Sequence, residues 1–185
     1  VGIARPFQGL LVYIALSVLR PMGLWPDSVP PGPYSQVVAI ATLLGWAMNG
    51  FGDARLGRGK AVALLFLGFW SWVAISASQA LDTSLSWKAV QEISKIYLPL
   101  AVGFTLIRSV DDLRKLAWTM VLSQTVIALA GHYTVYIGSG ENWLNTRGLA
   151  GFDNNDLAAG MVVVARFAFG LGLSEGDPRR KWLGF

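Results

Sequence analysis

The sequence predicts an all-α fold, a polytopic transmembrane helix bundle. The composition indicates it first: 54% of the 185 residues are hydrophobic types and only 14% are charged. A soluble domain usually carries about 25% charged residues. The apolar residues are also gathered into segments, several of which approach the length of about 20 residues that a helix needs to cross a hydrocarbon core of about 30 Å.

Six apolar segments follow one another and account for about six membrane helices. The first is not read as a cleaved signal peptide, because "RPMGLWP" follows it instead of a small-residue cleavage site. We expect residues 1–185 to form a single integral membrane domain, a fragment of a larger multi-helix protein, since the tail "RRKWLGF" resembles the start of another apolar segment. The segments are residues 7–19, 34–51, 61–81, 96–107, 116–137 and 157–173.

Two connecting stretches have distinct patterns. Residues 20–33, "RPMGLWPDSVPPGP", contain five prolines, which disfavours a long helix there. Residues 84–95, "SLSWKAVQEISK", place apolar side chains at helical spacing and predict an amphipathic helix that leads into the fourth segment. This helix either lies partly in the membrane interface or extends into water. Pro99 is expected to kink the helix that follows.

The basic residues predict the orientation. Ten lie on one side of the six segments and four on the other, which places the amino terminus and the richer side in the cytoplasm. Their dispersal between apolar segments gives no indication of nucleic-acid binding. The chain has no cysteine and one histidine, which excludes thiolate and histidine-rich metal sites. The four residues on the outer side are Arg20, Lys88, Lys95 and Arg147.

The stretch "NTRGLAGFDNNDLAAG", residues 145–160, places many polar groups before the sixth apolar segment. Aspartate and asparagine are good helix caps and suit the helix dipole, yet capping needs only one or two of them. An arginine, a glycine-containing turn and a helix N-terminus can together bind a phosphate. A phosphate site and a plain capped loop therefore both remain possible. The polar residues are Arg147, Asp153, Asn154, Asn155 and Asp156.

Arg166 lies inside the sixth segment, ten residues after Asp156 or about 15 Å along a helix. An arginine at the middle of a membrane helix costs about 2.5–3.5 kcal/mol on insertion scales. The sequence predicts that this side chain faces the protein interior or a watery cavity. It either serves function or pairs structurally with carbonyl groups or a carboxylate.

Other polar and aromatic residues within the segments are interpreted as packing residues. His132 lies in the outer half of the fifth segment, and the sequence places no carboxylate beside it for catalysis. Ser123 and Gln124 are expected to hydrogen-bond between helices. Trp70 and Trp72 lie in the middle of the third segment and are expected to pack against neighbouring helices.

The stretch "TRGLAGFDNNDLAAGMVV" resembles the segment that opens the core of the O-antigen ligase and polymerase family. That segment has an arginine, a glycine shortly after, and an asparagine followed by a hydrophobic residue and alanine at the head of a helix. The "DNN" run is more similar to the O-glycosylation ligase branch associated with exosortase systems, and Asn154 stands where the commoner pattern has proline. "LRPMGLWP", residues 19–26, is similar to the family's arginine-proline stretch after the first helix. The matching positions are Arg147, Gly151, Asn155, Leu157 and Ala158.

The resemblance implies a glycosyltransferase or ligase embedded in the lipid bilayer of the bacterial inner (plasma) membrane. Such enzymes transfer a glycan from an undecaprenyl-diphosphate carrier, at the outer face, to lipid A-core, a polysaccharide or a protein. No nucleotide sugar, metal or other cofactor is expected, and catalytic residues, including a histidine, are expected in an external loop nearer the carboxyl end of the full protein. The alternatives are a transporter or flippase and a non-catalytic membrane scaffold. The substrate-binding candidates are Arg147, Asp153, Asn154, Asn155 and Arg166.

Overall fold

The computed structural model describes residues 2–25, 27–53, 59–133 and 154–174. All regular secondary structure in these ranges is helical, which confirms the all-α class for this part of the chain. The helices are α1 (Pro6–Leu19), α2 (Pro21–Leu24), α3 (Tyr34–Met48), α4 (Gly59–Ser78), α5 (Thr83–Leu106), α6 (Val110–Tyr133) and α7 (Asn154–Ser174).

Three helical stretches in the described ranges are long and apolar enough to cross a membrane: Pro6–Leu24, Gly59–Ser78 and Asn155–Leu173. They fit a membrane protein. The α3 helix is apolar but has only 15 residues. The α5 and α6 helices have 24 residues each, and charged residues near their starts make them less apolar. The complete six-helix membrane bundle stays a prediction.

Local sequence explains where several helices begin. Pro6 opens α1, where its missing N–H group and fixed φ cost nothing. The Asp82 side chain caps α5 by accepting a hydrogen bond of 2.9 Å from the Leu85 N–H group. Ser109 and Asp112 cap α6 reciprocally, since each side chain accepts a hydrogen bond of 3.1 Å from the other's backbone N–H group.

The two unusual connecting stretches follow their patterns. The proline-rich residues 20–33 form only the four-residue α2 within their described positions, as predicted. Residues 84–95 continue into the fourth apolar segment as one helix, α5, with Pro99 inside it. The predicted helical lead-in is therefore confirmed.

The described chain divides into two compact units, Val1–Leu10 with Ala39–Arg108 and Leu11–Val38 with Ser109–Phe185. In the first unit α4 packs along α5. The Trp70 indole donates a hydrogen bond of 2.9 Å to the Ser94 hydroxyl, so its predicted packing is confirmed. The expectation that Trp72 packs against a neighbouring helix is wrong. Trp72 follows Trp70 by two residues, so its side chain points about 200° away from that of Trp70 around α4, and it is 70% exposed.

The first unit also contains a close approach between the amino-terminal residues and α3. The Gly45 backbone lies against Gly2 and Ile3, and Gly9 lies against Thr42. Thr42 is buried as a result, with 4% exposure. Glycine allows these approaches because a Cβ atom at either position would overlap the neighbouring atoms.

In the second unit α6 and α7 pack antiparallel. Ala117 and Val121, in the first half of α6, form a buried cluster with Leu171, near the end of α7. Gln124, further along α6, is buried against Gly160, which lies near the start of α7. Gln124 therefore contacts the neighbouring helix, and the predicted hydrogen bonds of Ser123 and Gln124 between helices stay a prediction. The face of α7 turned toward α6 contains Leu157, Gly160, Val164, Ala168 and Leu171.

Candidate functional site

The candidate site is the end of the α6–α7 pair at which α6 ends and α7 begins. Gln124 and Gly160 define the register of the two antiparallel helices. His132 lies eight residues beyond Gln124, or about 12 Å along α6, and Asn154 lies six residues before Gly160, or about 9 Å along α7. The last turn of α6 and the first turn of α7 are therefore at nearly the same level.

The first turn of α7 contains three polar residues in succession. The helix begins at Asn154, three residues before the expected position, so Asn154, Asn155 and Asp156 lie inside its first turn instead of preceding it. Asn155 and Asp156 are exposed, whereas Leu157, the next residue, is buried with 6% exposure. Of the other predicted site residues, Arg147 and Asp153 lie outside the described residues.

This turn offers two kinds of hydrogen-bonding group. The first N–H groups of a helix have no partner within the helix and carry partial positive charge, which suits an anion. Amide and carboxylate side chains such as Asn155 and Asp156 can donate to or accept from sugar hydroxyl groups. Asp156 also contributes a negative charge. This charge interacts favourably with the helix dipole and repels an anion bound directly beside it. A phosphate there requires a cation, and Arg147 is the nearest arginine along the chain.

His132 lies within α6, as the sequence predicts, but its side chain is exposed instead of packed between helices. It lies one residue before Tyr133, the last described residue of that helix. It stands at the level of the first turn of α7 and becomes part of the candidate site. No pattern within the sequence of α6 alone indicates that exposure.

Arg166 is separated from the first turn of α7. It follows Asp156 by ten residues, or about 15 Å of helix. It is exposed and lies between Val164 and Ala168 in sequence, which belong to the face that packs against α6. A helix turns about 100° per residue, so Arg166 projects away from that face. One phosphate group held by the first turn of α7 is out of its reach.

An apolar groove of about 410 Å³ lies between α4 and α5 in the first unit. Aromatic rings form much of its wall, and the centroids of Phe66 and Tyr97 are 5.7 Å apart in an edge-on arrangement. The hydroxyl groups of Ser94 and Thr105, two of the three residues in the wall that carry one, donate to backbone carbonyls within α5 and leave the surface largely apolar. Such a groove suits a hydrocarbon chain.

A second cavity, of about 400 Å³, lies in the second unit where α1 ends and α3 begins. Arg20, Ser17 and Ser35 contribute polar groups to its wall, which also includes Tyr34. Arg20 has a left-handed backbone with φ of 42°, which is uncommon for a residue other than glycine. The arginine-proline stretch is thus the rim of a cavity.

Comparison with known proteins assigns the chain to a family. Residues 1–167 match the family of unknown function DUF5935. The chain belongs to DUF5935. No curated protein and no solved structure matches it.

The DUF5935 chain therefore combines three features with chemical meaning. The polar turn at the start of α7 and His132 lie at one end of the second unit, and the cavity beside Arg20 belongs to the same unit. The apolar groove belongs to the first unit. Polar groups for a charged or hydroxylated substrate and an apolar surface for a hydrocarbon chain are thus both present.

Proposed function

We propose that this DUF5935 protein is a membrane glycosyltransferase, or ligase, similar to O-antigen ligases. It transfers a glycan from an undecaprenyl-diphosphate carrier to lipid A-core, a polysaccharide or a protein at the outer face of the bacterial inner membrane. Its helices form a polytopic bundle with the amino terminus in the cytoplasm. The observation that carries the proposal is the polar first turn of α7, at the head of an apolar helix and in the part of the sequence that resembles those ligases.

The reaction requires charge stabilisation on the leaving group. An acceptor hydroxyl oxygen attacks the anomeric carbon, the bond from that carbon to the phosphate oxygen breaks, and undecaprenyl diphosphate leaves with the electron pair. The hydroxyl proton passes to a base. Arg147 would neutralise the diphosphate, and Asn155 would orient sugar hydroxyl groups. Donors that are already placed where charge develops lower the barrier most effectively.

The lipid part of the donor requires an apolar surface at membrane depth. The groove between α4 and α5 would serve as this surface, since it is apolar and its volume suits a few isoprene units while the rest of the lipid chain stays in the bilayer. The remainder of α4 is also suited to lipid, because Ala77 alone of its 20 residues is buried and Leu65 is 74% exposed. In water such a surface would promote aggregation.

The orientation can be tested with single cysteines, because the sequence contains none. Ser84→Cys, near the start of α5, is expected to react in intact cells with a maleimide that does not cross the membrane. Val110→Cys, the first residue of α6 and 74% exposed, is expected to react only after the cells are opened. The reverse labelling pattern would show that the proposed orientation is wrong and that the start of α7 lies on the cytoplasmic side.

The function is tested by replacing Arg147 in the full-length protein in membranes. Glycan transfer from an undecaprenyl-diphosphate donor is expected to fall about 100-fold in Arg147→Ala, the usual loss when one preorganised donor is removed from a developing negative charge. Arg147→Lys retains the charge and is expected to lose less. Arg114→Ala is the matched control, because that arginine pairs with Asp111 at the opposite end of α6.

Three outcomes separate the alternatives. Loss of transfer in Arg147→Ala alone, with normal insertion, supports a diphosphate site at residues 145–160. Undiminished transfer would indicate that this stretch is a plain capped loop and that the diphosphate site lies elsewhere. If the wild-type protein transfers no glycan but moves a lipid-linked or anionic substrate across the membrane, the transporter or flippase alternative replaces the ligase.

A further inference from the structure

Arg166 projects from an otherwise apolar side of α7. Its neighbours one turn before it are Val162 and Val163, which are 61% and 48% exposed. Gly170 follows it by one turn, and no atom lies within 4 Å of the position that a Cβ would occupy there. The helix belongs to one of the stretches that can cross a membrane, and Arg166 lies two residues from the middle of that stretch. We name this side of α7 the Arg166 face.

A lipid environment does not suit the Arg166 face. A guanidinium group near the middle of a membrane helix costs about 2.5–3.5 kcal/mol, so it normally pairs or contacts water. The nearer end of α7, Ser174, is eight residues away, or about 12 Å along the helix. That distance is longer than an arginine side chain, so the Arg166 side chain cannot place its charge among the lipid headgroups.

The positions of the carboxylates in residues 1–185 of the sequence do not favour any of them as the partner. Each of the eleven lies at or beyond the end of an apolar segment, apart from Glu92, which sits in the polar half of α5 and pairs with Lys95. A second copy of the chain would place the same set of residues against the Arg166 face. In a symmetric dimer about this face, the two arginines would approach each other and repel. The eleven are Asp27, Asp53, Asp82, Glu92, Asp111, Asp112, Glu141, Asp153, Asp156, Glu175 and Asp177.

We propose that the Arg166 face docks a further membrane-spanning helix that carries an aspartate or glutamate near its middle. Charge complementarity identifies this partner, because a carboxylate is the one protein group that neutralises a guanidinium and accepts two of its hydrogen bonds. The open position at Gly170 lets the backbone of a second helix approach closely, as small residues do between membrane helices. The face is distinct from the first turn of α7, so docking does not depend on the proposed transferase activity.

The test uses the full-length protein in its native membrane, with the photo-reactive amino acid benzoylphenylalanine in place of Val162. Irradiation is expected to join position 162 to a protein segment that is apolar and contains an aspartate or glutamate, identified by mass spectrometry of the joined peptides. The yield is expected to fall about fivefold or more in Arg166→Leu and to be largely retained in Arg166→Lys. Arg166→Leu inserts into membranes more readily than the wild type, so loss of insertion does not explain a lower yield.

The control places the same amino acid at Leu65, on the exposed side of α4, where the yield of any product is expected to be the same with and without Arg166. Four results would overturn the proposal. They are products with lipid alone at position 162, a joined segment without an acidic residue, a joined segment that belongs to a second copy of this chain, and a yield that does not change in Arg166→Leu.

Discussion

Replacing Gly45 by alanine is expected to destabilise the first unit, although it adds a single methyl group. The new Cβ would lie 2.7 Å from the Ile3 Cα atom and closer still to the Gly2 carbonyl oxygen. Both are backbone atoms that cannot rotate away, so the amino-terminal residues must move off α3. Overpacking of this kind costs about 1–3 kcal/mol. The midpoint temperature of unfolding, followed by tryptophan fluorescence of the purified protein, should therefore fall by several degrees.

Gly68→Ala is the matched control for this substitution. Gly68 lies inside α4, and no atom is found within 4 Å of the position of its Cβ. Alanine forms a helix more readily than glycine by about 1 kcal/mol, so Gly68→Ala should leave the midpoint unchanged or raise it. If the two substitutions shift the midpoint equally, the close approach of residues 2–3 to α3 is not a feature of the folded protein.

Replacing Gly160 by leucine is expected to separate α6 from α7. A Cβ at this position would lie 3.3 Å from the Gln124 Nε2 atom, and the end of that side chain can yield to a methyl group. A leucine side chain needs more space, which the Gln124 side chain already occupies. We therefore expect a small effect for Gly160→Ala and a destabilisation of about 1–3 kcal/mol for Gly160→Leu. The proposed glycan transfer is expected to fall as well, because the first turn of α7 would lose its position beside α6.

A second substitution tests whether Gln124 is the cause. Truncation in Gln124→Ala creates space opposite residue 160, so the double variant Gln124→Ala, Gly160→Leu is expected to be more stable than the sum of the single effects predicts. Contacting residues show such non-additivity, whereas distant ones do not. Gly68→Leu, on the open side of α4, should have little effect on the midpoint. If the effects of Gln124→Ala and Gly160→Leu on stability simply add, the contact between these two residues of α6 and α7 is contradicted.

Helix identity could be predicted from the sequence better than helix ends. All six apolar segments lie in or overlap described helices, because apolar runs of this length favour helix whatever surrounds them. The ends depend on a few capping groups. Asp82 and Ser109 set the starts of α5 and α6 through side-chain hydrogen bonds, and α7 begins three residues before its apolar run. The apolar pattern of a segment does not predict which capping hydrogen bonds form at its ends.

The candidate site could be predicted only in part. Asn155 belongs to a polar stretch that the sequence sets apart, and it lies at the end of a helix as expected. His132 was missed because its exposure depends on how α6 packs against other helices, which the sequence of α6 does not specify. The groove between α4 and α5 requires the register of two helices, which no pattern within either one specifies. The same holds for Gly160, whose importance comes from Gln124 on the neighbouring helix.

The exposure of α4 has a consequence for how this part of the sequence can change over time. Away from the side that meets α5, residues such as Leu65 and Trp72 contact no close-fitting neighbour in the described unit. Selection there acts on hydropathy and not on shape, so leucine, valine and phenylalanine can replace one another with little cost. Gly45 has no such freedom. Among related chains, we therefore expect the exposed positions of α4 to vary more than Gly45 does, with one apolar residue replacing another.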